Sequence, residues 1–145
     1  MRIVIDTNIV ASAIFFGGRP RELMELLLRH ELTAFITREI IEEYQGTIAY
    51  LQNEYPSKRI AVPLTQIIAA CNMIETTSVI RVCRDPDDDK FIACALDSRS
   101  IYIVSGDKDL LAVKQYKDVQ VVTVAQFFRD IWNPSSSGSG SPPSQ

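Results

Sequence analysis

Apolar residues fall along this chain in two rhythms. Short, nearly unbroken apolar runs occur at Arg2 to Asp6 (RIVID), Ile101 to Val104 (IYIV) and Val119 to Val124 (VQVVTV), as expected of strands covered on both faces. Between them the apolar positions recur about every 3.6 residues, the spacing of a helix with one buried face. Ile9 to Phe16 is one such segment and is broken by Gly17, Gly18 and Pro20; Leu23, Met24, Leu27 and Leu28 mark the next. Thr7 and Asn8 are placed to cap the first of these helices.

Ala34 to Ile36 predicts a brief strand, and Thr37 an N-cap for a helix from Arg38 to about Gln52 with Ile40, Ile41, Tyr44, Ile48 and Leu51 on its apolar face. Pro63 to Ile74 predicts another helix, Ser78 to Val82 (SVIRV) a β-branched strand, and Phe91 to Leu96 a helical turn facing the core. Asp109 to Val113 predicts a short helix, and Thr123 caps a last one over Ala125 to Trp132. Strand and helix alternate, so the expected fold is α/β: a parallel sheet of about five strands in a three-layer α/β/α sandwich.

The chain has 145 residues, 46% hydrophobic and 23% charged, which suits one domain over residues 1–132. Residues 133–145 (NPSSSGSGSPPSQ) have the composition of a flexible Ser/Gly/Pro-rich tail. No apolar run reaches the roughly 18 residues of a membrane span. With no signal-peptide layout before RIVID, the expected address is the cytoplasm, away from any membrane. Cys71, Cys83 and Cys94 lack metal-binding spacing and read as reduced core thiols. A net charge of -3 argues against a large basic surface for nucleic acid, but leaves open binding through a metal.

Charge placement says more than its sum. Seven of the 18 acidic residues lie between Arg84 and Leu111 (RDPDDDKFIACALDSRSIYIVSGDKDLL). Asp85, Asp87, Asp89 and Asp97 read as helix caps or solvated faces. Asp6 and Asp107 are different, because each follows a buried strand at its carboxyl end, where open parallel sheets place their ligands. Asp88 stands at a helix start. In the helix after Thr37, Glu43 flanks the apolar stripe while Glu42 points away from it. Gathered carboxylates repel unless protons or cations intervene, and a site of oxygens alone selects Mg²⁺ or Mn²⁺. His30, the single histidine, lies at a polar helix end and reads as a surface residue.

Taken in order, IDTNIVASA, the EEY of the third helix, RDPDDDKFIACAL and IVSGDKDLL resemble the PIN-domain ribonucleases, in particular the VapC-like toxins of toxin-antitoxin systems. The resemblance spans about residues 1–132 and implies catalytic and metal-holding roles for Asp6, Glu43, Asp88 and Asp107, with Asp109 as an accessory metal ligand. It implies that Asn8 and Ser105 brace the site, Ser105 standing where many members have Thr. It further implies Mg²⁺- or Mn²⁺-dependent hydrolysis of RNA, an antitoxin partner and a homodimer. Arg19, Arg21, Arg38, Lys90 and Lys108 are candidate phosphate contacts. The competing reading is a non-catalytic PIN-like RNA-binding or scaffold protein. Haloacid-dehalogenase and receiver domains also have Asp after their first strand, but they require further acids that this chain lacks at Asn8 or beside Asp6.

Overall fold

The computed structural model describes residues 1–132; the expected tail at 133–145 lies outside the described residues. In chain order the elements are β1 (Arg2–Ile5), α1 (Thr7–Phe15), α2 (Gly18–Leu28), β2 (Thr33–Ile36), α3 (Arg38–Glu54), α4 (Leu64–Ala70) and β3 (Asn72–Met73). After a single 3-10 turn at Pro86–Asp88 come α5 (Asp89–Ser98), β4 (Tyr102–Val104), α6 (Lys108–Val113), β5 (Gln115–Tyr116), β6 (Val119–Val122) and α7 (Val124–Gln126). The last helix runs on as a wider π-turn at Phe127–Ile131.

Among the described residues the sheet has six strands, in the order β3-β2-β1-β4-β6-β5. All neighbouring pairs are parallel except β5 with β6. Helices flank the sheet in a three-layer α/β/α arrangement, with α1 packed on α2 and α3, and α5 packed along β1, β2 and β4. Ile3, Val4, Ile103 and Val104 are fully buried, as the unbroken apolar runs require of central strands. From β1 the chain crosses to β2 on one side, whereas from β4 it proceeds to β6 on the other. The switch between β1 and β4 opens a crevice outside their carboxyl ends, the position at which α/β sheets bind ligands.

Three expectations need correction. The sheet has six strands, one of them antiparallel, because Gln115–Tyr116 folds back on β6 as a two-residue hairpin partner. Ser78 to Val82 is not a strand: it pairs with no strand, and the carboxylates of Asp97 and Asp89 take the N-H groups at its two ends, Ser78 and Val82. The edge position on β2 is filled instead by Asn72–Met73, where α4 has already ended at Ala70. Nor do Thr7 and Asn8 cap α1. The helix begins at Thr7 itself, with Asp6 at the N-cap position and its carbonyl accepting from Ile9 and Val10. Thr37 and Thr123 cap α3 and α7 as expected, the latter in a reciprocal capping box with Gln126.

Candidate metal centre

The crevice is built by extending the central ladder one residue past the strands. Asp6 N donates to Val104 O at 2.9 Å and Ser105 N to Val122 O at 2.9 Å, so Asp6 and Ser105 stand side by side at the sheet edge. Both are buried. Ser105 Oγ donates to Asp6 Oδ2 at 2.7 Å and accepts from Asp107 N at 2.9 Å, tying the acid after β1 to the turn after β4. Asp107 caps α6 through Oδ2, which accepts from Leu110 N at 3.0 Å.

Glu43 arrives from α3. Its neighbour Tyr44 is fully buried and donates its hydroxyl to Ile5 O at 2.5 Å, which pins this turn of α3 over the end of β1. The Glu43 side chain accepts from Thr7 Oγ1 through Oε2 and faces Lys90 Nζ at 2.5 Å through Oε1. Glu42, one residue earlier, is exposed. The helix phase expected from the apolar stripe therefore holds.

Asp88 enters from the turn ahead of α5. Asp85, Asp88 and Asp109 each offer a carboxylate oxygen, and these atoms all lie within 4.8 Å of one another. Burial, then a hydrogen bond to Asp107 and the charges of Asp107, Asp85 and Asp6, push the Asp88 carboxyl up to about 7. Asp88 is thus protonated more readily than a free carboxyl. Asp6 is pushed up to about 6, chiefly by burial, with the charges of Asp107 and Glu43 adding to it and the Ser105 hydrogen bond opposing it. Such protons hold the place of positive charge in a crowded carboxylate site.

The donor set fits a hard divalent ion: carboxylate oxygens converge and no imidazole joins them. Cys83 lies close by, but burial, followed by its hydrogen bond to Asp89, pushes its thiol up to about 12 and keeps it neutral.

The remaining expected site residues are dispersed. Asn8 is exposed and its side chain hydrogen-bonds to none of the described residues; Thr7 makes the bracing contact at this end of α1. Arg38 and Lys108 are exposed at the first positions of α3 and α6, on the same sheet edge as the acids. Arg21 instead donates to the carbonyls of Ala13 (3.0 Å) and Ile14 (3.4 Å), closing the end of α1. Arg19 lies over the Phe128 ring at 4.8 Å and pairs with Glu22. Lys90 is engaged with Glu43 and the Asp87 carbonyl rather than held out to solvent. Burial works against its charge, but the hydrogen bond and charge of Glu43, with Asp87 and Glu39, raise its pKa above the ordinary lysine value.

Sequence reasoning missed Asp85, read as a cap. It does accept from Asp87 N, yet it also meets Asp88 and Asp109. The signal was available in the spacing: Asp85 and Asp88 bracket one turn of 3-10 helix, which brings residues three apart onto one side.

Carboxylates gathered at the sheet's switch point, from the residue after β1, from α3, from the turn ahead of α5 and from the turn after β4, fit a nuclease-type α/β/α protein. The chain belongs to the PIN-domain family, whose description matches residues 2–109. It is also similar to a protein of Methanocaldococcus jannaschii named Uncharacterized protein MJ1680, 32% identical over 121 residues that cover 79% of this chain and 76% of that one. PIN domains generally use divalent metals, in keeping with the acidic cluster. Among the described residues no helix is long and apolar enough to cross a membrane.

Proposed function

We propose that this chain is an Mg²⁺- or Mn²⁺-dependent endoribonuclease, the toxin of a VapC-like toxin-antitoxin pair. The observation that carries the reading is the convergence of the Asp85, Asp88 and Asp109 carboxylate oxygens, all within 4.8 Å of one another, at the sheet edge where Ser105 holds the buried Asp6. Asp88 and Asp107 would hold the ion together with Asp6, and Asp85 and Asp109 would complete its surroundings. A divalent ion bound there supplies charge neutralisation for the phosphate and an activated water for in-line attack.

The chain's own residues do the positioning. Ser105 fixes the Asp6 carboxylate, Thr7 and Lys90 fix Glu43, and the cap on α6 fixes Asp107. Arg38 and Lys108 flank the crevice and are offered as contacts for RNA phosphates. The toxin role rests on the ordered set of motifs from IDTNIVASA to IVSGDKDLL. Incubating the protein with an unstructured RNA in Mn²⁺, with a parallel EDTA arm, tests the reading. Mn²⁺-dependent internal cleavage without cyclic-phosphate ends is expected, because water and not the ribose hydroxyl attacks. Cleavage that persists in EDTA, or none in Mn²⁺, overturns it.

A further inference from the structure

The acidic crevice is divided between two kinds of countercharge. On the α3 side both Glu43 oxygens are already engaged, Oε2 by the Thr7 hydroxyl and Oε1 by Lys90 Nζ at 2.5 Å. The Lys90 side chain is only 14% exposed. Its ammonium also donates to Asp87 O at 2.9 Å and lies 5.6 Å from the centre of the fully buried Phe91 ring. It is therefore a built part of the wall and not a surface lysine that happens to reach inwards. By contrast, Asp85, Asp88, Asp107 and Asp109 form no ion pair with any described residue.

We propose that Lys90 is a positioning residue that serves as the crevice's resident cation: its ammonium holds Glu43 and limits each chain to one divalent ion, bound on the Asp88 side. A second ion at Glu43 would have to displace the ammonium or sit against it, and like charges at contact distance repel strongly in a partly buried site. The arrangement also gives Lys90 a function that a phosphate contact would not, since its charge is spent inside the protein on orienting a carboxylate. This inference rests on the metal reading proposed above.

Calorimetric titration of Mn²⁺ into the full chain separates the two. Wild type is expected to bind one ion per chain. Lys90→Met, which keeps an apolar stem of similar length but removes the charge, is expected to bind two, and Lys90→Arg, which keeps the charge, to remain at one. Two ions on wild type or on Lys90→Arg, or a single ion on a folded Lys90→Met, overturn the role of Lys90 and leave the metal reading standing. Wild type that binds no Mn²⁺ overturns both. Should Lys90→Met fail to fold by circular dichroism, Lys90→Gln, which also removes the charge but keeps a donor for Glu43, takes its place, with two ions expected and a single ion overturning the role of Lys90.

Discussion

Ser105 Oγ donates to Asp6 Oδ2 across 2.7 Å, although 99 residues separate the two in sequence. The bond exists because β1 and β4 are neighbours in register, Ile5 opposite Val104, so that the next residue of each strand meets its counterpart at the sheet edge. Removing the hydroxyl leaves a buried carboxylate short of a donor. Ser105→Ala should therefore cost about 1–3 kcal/mol of stability at neutral pH, read from the denaturant midpoint. Ser105→Thr should recover most of the loss, and an Ala variant as stable as wild type would show that the bond contributes nothing.

Glu42 and Glu43 are adjacent and identical in chemistry, but only Glu43 turns towards Thr7 and Lys90. Glu43→Gln should reduce RNA cleavage at saturating Mn²⁺ at least tenfold, about 1.4 kcal/mol in transition-state terms. Glu42→Gln should be close to wild type. A greater loss from Glu42 would mean that α3 presents the other glutamate to the substrate.

Protons would compete with the proposed metal ion for the same carboxylates. Asp88 and Asp6 are raised to about 7 and about 6 in the folded protein, from an ordinary value of 3.8. Across that window the native state holds protons that the unfolded chain has already lost, so this contribution favours folding at low pH and is lost as pH rises through the folded values. Metal-free stability should thus fall between pH 5 and pH 8 while Mn²⁺ affinity climbs. Urea melts at the two pH values, with and without Mn²⁺, measure both trends; metal-free stability that increases over this range would contradict the assignment.

The central strands were legible because Ile3 to Ile5 and Ile103 to Val104 are buried on both faces, and burial of that kind leaves an unbroken apolar run. Asp6 and Asp107 stood out for the same reason, as acids placed directly after such runs. What the sequence did not reveal depends on contacts made outside the segment concerned. SVIRV has strand composition, yet Asp97 accepts from Thr77 N and Ser78 N, and Asp89 from Val82 N and Cys83 N. Nothing local in the segment marks its amides as taken by side chains. Asn72–Met73 is too short and too exposed to show a period of two, and nothing near Lys90 in sequence, a candidate phosphate contact, marks the glutamate on α3 that takes its charge.

The same tethers make a prediction of their own. Asp97 takes two backbone N-H groups and the Ser78 hydroxyl, and these bonds hold its pKa below the ordinary value despite some opposing burial. Asp97→Ala should release Thr77 and Ser78 from α5 while Asp89 still holds Val82 and Cys83, with faster amide hydrogen exchange at Thr77 and Ser78 and a stability loss of about 1 kcal/mol. Unchanged exchange at those amides would show that the segment is held by something else.

An ion that binds only the folded crevice must stabilise it. At a Mn²⁺ concentration 100 times its dissociation constant the gain is about 2.7 kcal/mol, or roughly 10 °C in melting temperature for a domain of this size. Asp88→Asn, which removes a carboxylate charge from the cluster, should melt at nearly the same temperature with and without Mn²⁺. An undiminished shift in that variant would place the ion elsewhere.

The proposed function requires the carboxylates gathered around Asp6 to support metal-dependent RNA hydrolysis. Asp6→Asn keeps the shape of the side chain while removing its charge, and it leaves Ser105 an oxygen to donate to. The decisive measurement is the initial rate of RNA cleavage in Mn²⁺ by wild type and by Asp6→Asn, each confirmed as folded by circular dichroism. Cleavage by wild type, with loss of at least a hundredfold in the variant, is the predicted result. Equal rates for the two proteins would contradict the account.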